Sequence, residues 1–372
     1  RRASVCPPSV MAPPHSRALG LAAGLAGLIV GLGLGLRLGG GNSRESANSS
    51  RAWARAVAGA SAGSAQPSTA SAPALLHPQL AEFAACNLQE VKSGYSKGFQ
   101  NGQTVPAPLR CPRRNLGGRA VVDLGLKTGV ETLAACELNA TVYAFEPLWK
   151  HVADVEAGLK KRFGDAAVSV LRLEAPEELH VLDSSLAAEG TTPPGEAEAQ
   201  VRLREASERQ PAAFAPSQLQ AAERRMQAAR REKICHVTLV QAAAGAVPGW
   251  AQMRVNSGWG ASLVDRFNNR QGDKTRVVPV VRVDAIVPSE GLDVFLYKVD
   301  VQGYELEVLK GAEKLFASPG RVRSVWSEVW ETGLIKAGTT PEAYLSALAD
   351  KGFACFETEA RSQVLAGSKR GC

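Results

Sequence analysis

The 372-residue sequence has no C-x-x-C pair, no His/Cys spacing of the metal-ligand kind and no D-x-D motif. The first two absences give no metal site among its seven cysteines and five histidines. The third removes the metal-bound diphosphate chemistry that a D-x-D glycosyltransferase needs after a strand. Acid is scarce at the start: Arg1, Arg2, Arg17, Arg37, Arg44, Arg51 and Arg55 face only Glu45 within the first sixty residues. Most of the formal charge of +7 therefore belongs to that tail, and the nearly neutral remainder offers no nucleic-acid-binding face.

What the tail has instead is an uncharged run, Ala18 to Leu36, preceded by Arg17 and by a natural start at Met11. It is just long enough to span a bilayer. Three readings stay open: an uncleaved signal anchor holding a luminal domain on a single-pass tether in the Golgi or endoplasmic reticulum, a cleaved secretory peptide, or a transit peptide for a mitochondrion or chloroplast. Residues 39–74 are rich in Gly, Ser, Ala and Pro and cannot bury enough apolar surface to fold, which predicts a disordered stalk. The expected organisation is thus 1–38 as the N-terminal segment, 39–74 as stalk, 75–118 as an extension of the fold, and 119–372 as the main domain. Cys86 and Cys111 flank a Pro/Gly-rich loop that a disulfide would close, while Cys136 and Cys355 sit in apolar surroundings suited to core thiols. Asn48 and Asn139 begin N-glycosylation acceptor patterns.

The main domain opens on AVVDLGLKTGVETLAACELNATVYAFEP, Ala120 to Pro147. A short β-branched run ends on Asp123, Gly125 and Gly129 bracket a tight turn, a helical run follows from Val130 to Leu138, and a second strand ends on Glu146. The pattern predicts a βαβ unit with one acid at each strand's carboxyl end, where open α/β sheets bind ligands. The loop reads G-x-x-x-G rather than G-x-G-x-x-G, and an aspartate in a phosphate cradle would repel a pyrophosphate. It suits the cationic amino-acid end of S-adenosylmethionine, with Glu146 accepting the ribose hydroxyls. Another nucleotide, or a structural turn that binds nothing, remains an alternative on this stretch alone.

Residues 174–233 carry charges of both signs and few aromatics, which predicts a solvated helical or disordered insertion with no core of its own. A strand at Val237 to Gln241 then leads into Ala242-Ala243-Ala244-Gly245, where small residues let an adenine ring lie against backbone at Ala243. The second informative stretch is VFLYKVDVQGYELEVLKGAEKL, Val294 to Leu315. An apolar strand delivers Asp300, a turn follows at Gln302-Gly303, and Glu305 stands on the first turn of a helix. Asp123, Glu146 and Asp300 are thus expected on one sheet edge, in a doubly wound, mostly parallel α/β sheet. His151 and His236 fall in no site-like pattern.

These segments resemble the FkbM-type methyltransferases, a class I S-adenosylmethionine-dependent family. The likeness rests on VVDLGLKTG with VYAFEP, VTLVQAAAGAVPG, VPVVRVDAI, and LYKVDVQGYELEVLKGA followed by VRSVWSEVW, covering about Ala120 to Glu359. It implies a Rossmann-like sheet and methyl transfer to a hydroxyl oxygen of a carbohydrate or other small-molecule acceptor. It implies that Asp123, Gly125 and Gly129 surround the methionine end of the cofactor, with Glu146 on the ribose. Asp300 is implied beside the transferring methyl group, with Glu305 and Glu328 nearby. A hydroxyl acceptor needs a base, for which Asp300 is the first candidate and Glu305 the reserve. One departure stands out: Leu126-Lys127 occupies the place where the family commonly has Ala-Asn. A cation there keeps open a membrane-tethered binding module that has lost turnover.

Overall fold

The computed structural model describes residues 99–100, 103–104, 107–110, 115–183, 195–255, 261–263, 274–318, 320–357 and 363–368. The expected anchor and stalk, Asn48 and the Cys86–Cys111 bridge lie outside them. No helix among the described residues is long and apolar enough to cross a membrane.

In chain order the main domain runs β1 (Ala120–Leu124), α1 (Val130–Glu137), β2 (Thr141–Phe145), α2 (Trp149–Phe163), β3 (Val168–Arg172), α3 (Glu196–Arg209), α4 (Pro216–Glu232) and β4 (His236–Gln241). It continues through β5 (Ala243–Ala244), β6 (Gly249–Val255), β7 (Lys274–Val281), β8 (Val294–Val299), α5 (Glu305–Lys310) and α6 (Glu313–Ala317). β9 (Ser324–Glu328), α7 (Glu331–Lys336), α8 (Pro341–Asp350), β10 (Phe353–Glu357) and β11 (Gln363–Ser368) complete it.

The large sheet has the order β10–β11–β9–β8–β1–β2–β4–β3. Its six strands from β9 to β3 are all parallel. β11 inserts antiparallel between β9 and β10, a last strand that sequence pattern did not reveal. Along β1, Ala120, Val122 and Leu124 join one apolar cluster while Val121 joins another. That alternation buries both faces, the requirement of a parallel sheet with helices on each side. α1 and α2 cover one face through Val130, Ala135, Val152, Val155 and Leu159. α4, α5, α6 and α8 contribute to the cluster on the other. The fold is the expected doubly wound, Rossmann-like α/β sheet.

Strand order reverses between β1 and β8, so their carboxyl ends diverge into separate loops and leave a crevice there. A second, four-stranded sheet begins at β5 directly after β4, in the order β5–β7–β6 and then Ala261–Ser262.

The charged segment read as a solvated insertion is different in kind. α3 and α4 bury Ala199, Leu203, Ala206, Ala222 and Met226 in the main core, Phe214 between them joins the same cluster, and Ala229 is buried as well. Tyr143 Oη donates to Glu223 Oε2 at 3.0 Å, fixing α4 across β2. Trp250 ties β6 to α3, its backbone N–H donating to Ser207 Oγ at 2.9 Å and its indole N–H to the Gln210 carbonyl at 2.8 Å. The buried positions are mostly alanines, which give a close helix–sheet approach without raising mean hydropathy, so the sequence looks polar.

Cys136 is buried as expected but is not a free thiol. It is bonded to Cys235, with Cα atoms 5.0 Å apart, joining the end of α1 to the residue before β4. Cys355 is half-buried. Asn139 follows α1 in the left-handed conformation (φ 63°), and Thr141 is sealed inside β2. The third acceptor pattern residue is therefore part of the core.

Candidate functional site

One cavity opens at the carboxyl edge, and four of the seven residues expected at the site line it: Gly125, Glu146, Ala243 and Asp300. Asp123, Gly129 and Glu305 do not line it. Gly125 follows β1 with φ 86°, and a Cβ there would collide with the Asp300 carbonyl. The two loops of the crevice therefore touch backbone to backbone, and the Asp300 N–H donates to the Leu124 carbonyl at 3.0 Å. Only glycine permits that approach.

Glu146 is nearly buried at the end of β2 and is held from three sides. Oε2 accepts the Lys127 N–H at 3.0 Å, Oε1 accepts the Leu148 N–H at 3.0 Å, and His151 Nδ1 stands 3.4 Å from Oε1. A carboxylate has about four acceptor directions, so capacity remains for hydroxyl donors from the cavity. Lys127 adopts φ 44°, a left-handed conformation that turns its N–H to this carboxylate. Lys127 also lines the cavity.

Asp123 is fully buried below the cavity. Its Oδ2 accepts from Thr132 Oγ1 at 2.7 Å, and its Oδ1 lies 3.2 Å from Lys298 Nζ. The acid read as a partner for the cofactor's cationic end is matched by a lysine of the chain itself. Gly129 has a packing task instead: with φ 69° it starts α1, and a Cβ there would collide with Val155 of α2. Glu305 accepts the Gly303 N–H at 2.9 Å, so it stabilises the turn after Asp300. Burial pushes its carboxyl up to about 7, against that hydrogen bond.

Lys298 is the residue that sequence reading missed most completely. It sits near the end of β8 with its side chain buried, yet lines the cavity floor. Nζ donates to the carbonyls of Leu124 (3.3 Å) and Gly125 (2.5 Å) and pairs with Asp123. Burial works to lower its pKa, but the charges of Asp123, Glu131 and Asp300 outweigh burial and raise it above the ordinary lysine value. Half-buried Glu131 also lines the cavity; burial foremost raises its carboxyl to about 7, opposed by Lys298.

Asp300 is held by Gln302, whose Nε2 donates to Asp300 Oδ1 at 2.8 Å and to Glu328 Oε2 at 2.7 Å. Burial first, then the charges of Asp300 and Glu305, pushes Glu328 up to about 8. The wall facing this acidic floor is apolar, with Leu148, Ala243, Met253 and Leu263 belonging to one cluster. His151, set aside in the sequence, lines the cavity beside Glu146. His236 has a core role: Ser169 Oγ and the Ala166 carbonyl lie 3.0 Å from its two ring nitrogens, and burial lowers its pKa to about 4.

A Rossmann-like sheet, a crevice at its order reversal and a cavity with acids on one side and an apolar wall on the other define a class of α/β protein whose ligand site lies at the carboxyl edge of the sheet. The family model of the methyltransferase FkbM domain matches residues 129–353, more than half of the chain. The chain belongs to the FkbM methyltransferase-domain family, and the domain is a methyltransferase. The matched span contains Glu146, Ala243, Asp300 and Glu328, while Asp123 and Gly125 lie just before it. No curated protein and no solved structure matches the chain.

Proposed function

We propose that this chain transfers a methyl group from S-adenosylmethionine to a hydroxyl oxygen of a carbohydrate or other small-molecule acceptor. The observation that carries the reading is Asp300 and Glu146 lining one cavity, with the Asp300 backbone pressed against Gly125 after β1. The residues fit the donor. Glu146 has acceptor capacity for ribose hydroxyls, Leu148 and Ala243 offer an apolar surface for an adenine ring, and the carboxyl groups of Glu131 and Asp300 line the same cavity. When bound, the donor supplies a methyl group already activated by its sulfonium charge. The protein's own work is then to align the acceptor and to remove one proton. Asp300 would take the acceptor's hydroxyl proton as that oxygen receives the methyl group. Asp300 then returns its proton to water.

The N-terminal run fits a membrane tether that places the domain in a lumen, and the Cys136–Cys235 disulfide supports an oxidising compartment. The experiment is incorporation of labelled methyl from S-adenosylmethionine into hydroxyl-bearing glycans and small molecules, beside calorimetric titration of the donor. Asp300→Asn should keep donor binding and lose about 10²- to 10⁴-fold in turnover, the usual worth of a general base. Full turnover in that variant removes the base assignment. Donor binding without any transfer favours the binding module that Lys127 suggested, and no binding at all removes the cofactor.

A further inference from the structure

Two carboxyl groups, one lining the cavity and one outside its lining, are tied to one amide nitrogen. Gln302 Nε2 donates to Asp300 Oδ1 and to Glu328 Oε2, within 2.8 Å of each. Gln302 does so from a left-handed conformation (φ 57°), which a long side chain adopts only when its surroundings fix it. The following turn is anchored at both ends: a Cβ on Gly303 would collide with the Gly333 backbone, and Glu305 accepts the Gly303 N–H. Of the two acids, Asp300 lines the cavity and Glu328 stands behind it.

Two like charges this close resist ionising together. The groups facing Glu328 are Asp300, Glu305 and, with the opposite sign, Lys298. Lys298 makes its closest carboxylate contact with Asp123, so its charge is shared across the floor. The acid nearer the cavity and its water is the one that can carry charge, and the acid behind it is better neutral.

We propose that Gln302 and Glu328 are positioning residues of the transfer step, Glu328 holding a proton behind Asp300 while Gln302 fixes the distance between them. Asp300 then meets the acceptor hydroxyl as the single charged member of the pair. The proton it receives goes to water after transfer, and Glu328 keeps its own throughout. The proposal rests on the hydroxyl-directed methyl transfer above and explains a chemical need within it. A pair with both members ionised would be spread by repulsion, and a pair with the proton on Asp300 would contain no base.

The test has two arms. Infrared difference spectra of the protein alone, between pH 6 and pH 10, should show carboxylic-acid absorption lost near pH 7, where burial places Glu131 and Glu305, and a further band lost near pH 8, where burial and Asp300 place Glu328. Glu328→Gln should lack that band. In the second arm, wild-type kcat should fall above about pH 8 as the second charge forms, whereas Glu328→Gln should show no inflection there and Glu328→Asp should restore one. Gln302→Leu should lower kcat about 10- to 100-fold through misplacement of Asp300, with the donor KM within about twofold. An unchanged band in Glu328→Gln, or the same alkaline inflection in that variant, overturns the proposal by itself. Should the wild type show the band yet transfer no methyl group to any hydroxyl acceptor, the catalytic part falls with the function it rests on. The band is read without cofactor, so the two failures are distinguishable, and it reports on the wild type even if a variant folds poorly.

Discussion

Lys298 Nζ lies 3.2 Å from Asp123 Oδ1, with both side chains almost wholly removed from solvent, and it donates at the same time to the carbonyls of Leu124 and Gly125. One ammonium thus neutralises the acid of the first motif and fastens the loop after β1 to the strand that delivers Asp300. Removing one member strands a buried charge on the other. Lys298→Met should therefore cost about 3–5 kcal/mol in urea unfolding. Adding Asp123→Asn should recover part of that loss, because the orphaned carboxylate is then neutral. Strictly additive losses in the double variant would deny the pairing.

Glu146 is the clearest test of the cofactor side of the cavity. Glu146→Gln keeps the shape of the side chain but gives up its charge and one acceptor oxygen. Calorimetric affinity for S-adenosylmethionine should fall about 10- to 100-fold, the worth of a charge-assisted hydrogen bond or two. Unaltered affinity would remove Glu146 from the donor's contacts.

The stability of the domain should depend on pH through two buried groups with opposite signs. Glu305 has a folded pKa of about 7 against 4.5 for an ordinary glutamate, so the folded state binds its proton more tightly. The resulting stabilisation is complete below pH 4.5 and is lost as pH rises to about 7, up to about 3 kcal/mol. Glu305→Gln should therefore gain stability relative to wild type between pH 5 and 8 in urea titrations. A constant difference across that range would contradict the assignment. His236 works the other way, with its pKa lowered to about 4 from 6.5. Its contribution is present above pH 6.5 and lost as pH falls toward 4, and a glutamine there should flatten the acid side of the curve.

The Cys136–Cys235 bond spans 99 residues of chain, including α3 and α4. Closing so long a loop restricts the unfolded chain strongly. Reduction, or replacement of both cysteines by alanine, should lower unfolding free energy by about 2–5 kcal/mol. Equal denaturation midpoints with and without reductant would show that the two thiols are not joined in solution.

Much of this architecture is legible from periodicity alone. Ala120–Leu124, Thr141–Phe145 and Val294–Val299 are apolar runs ending in a polar loop, and only a strand buried on both faces has that pattern. The glycines at 125 and 303 mark the turns, and both adopt positive φ. The inward stripes of α3 and α4 are hidden by alanine, and the pairing of β11 between β9 and β10 has no local signature. Lys298 escaped notice because a single lysine in an apolar strand carries no spacing signal; its role exists only once β8 lies beside β1. His151 was passed over for the same reason, since its approach to Glu146 depends on how α2 leaves β2.

The amino-acid order by itself determined which strand ends carry acid and where the chain must turn, because hydrophobic alternation and glycine conformations are local properties. The tertiary fold decided what each acid faces. Asp123 met a lysine 175 residues further along the chain, Glu305 turned to the backbone of its own loop, and Glu146 and Asp300 were left to the cavity. Charge partners are chosen by distances across the sheet, and those distances arise only when strands far apart in sequence come to lie side by side.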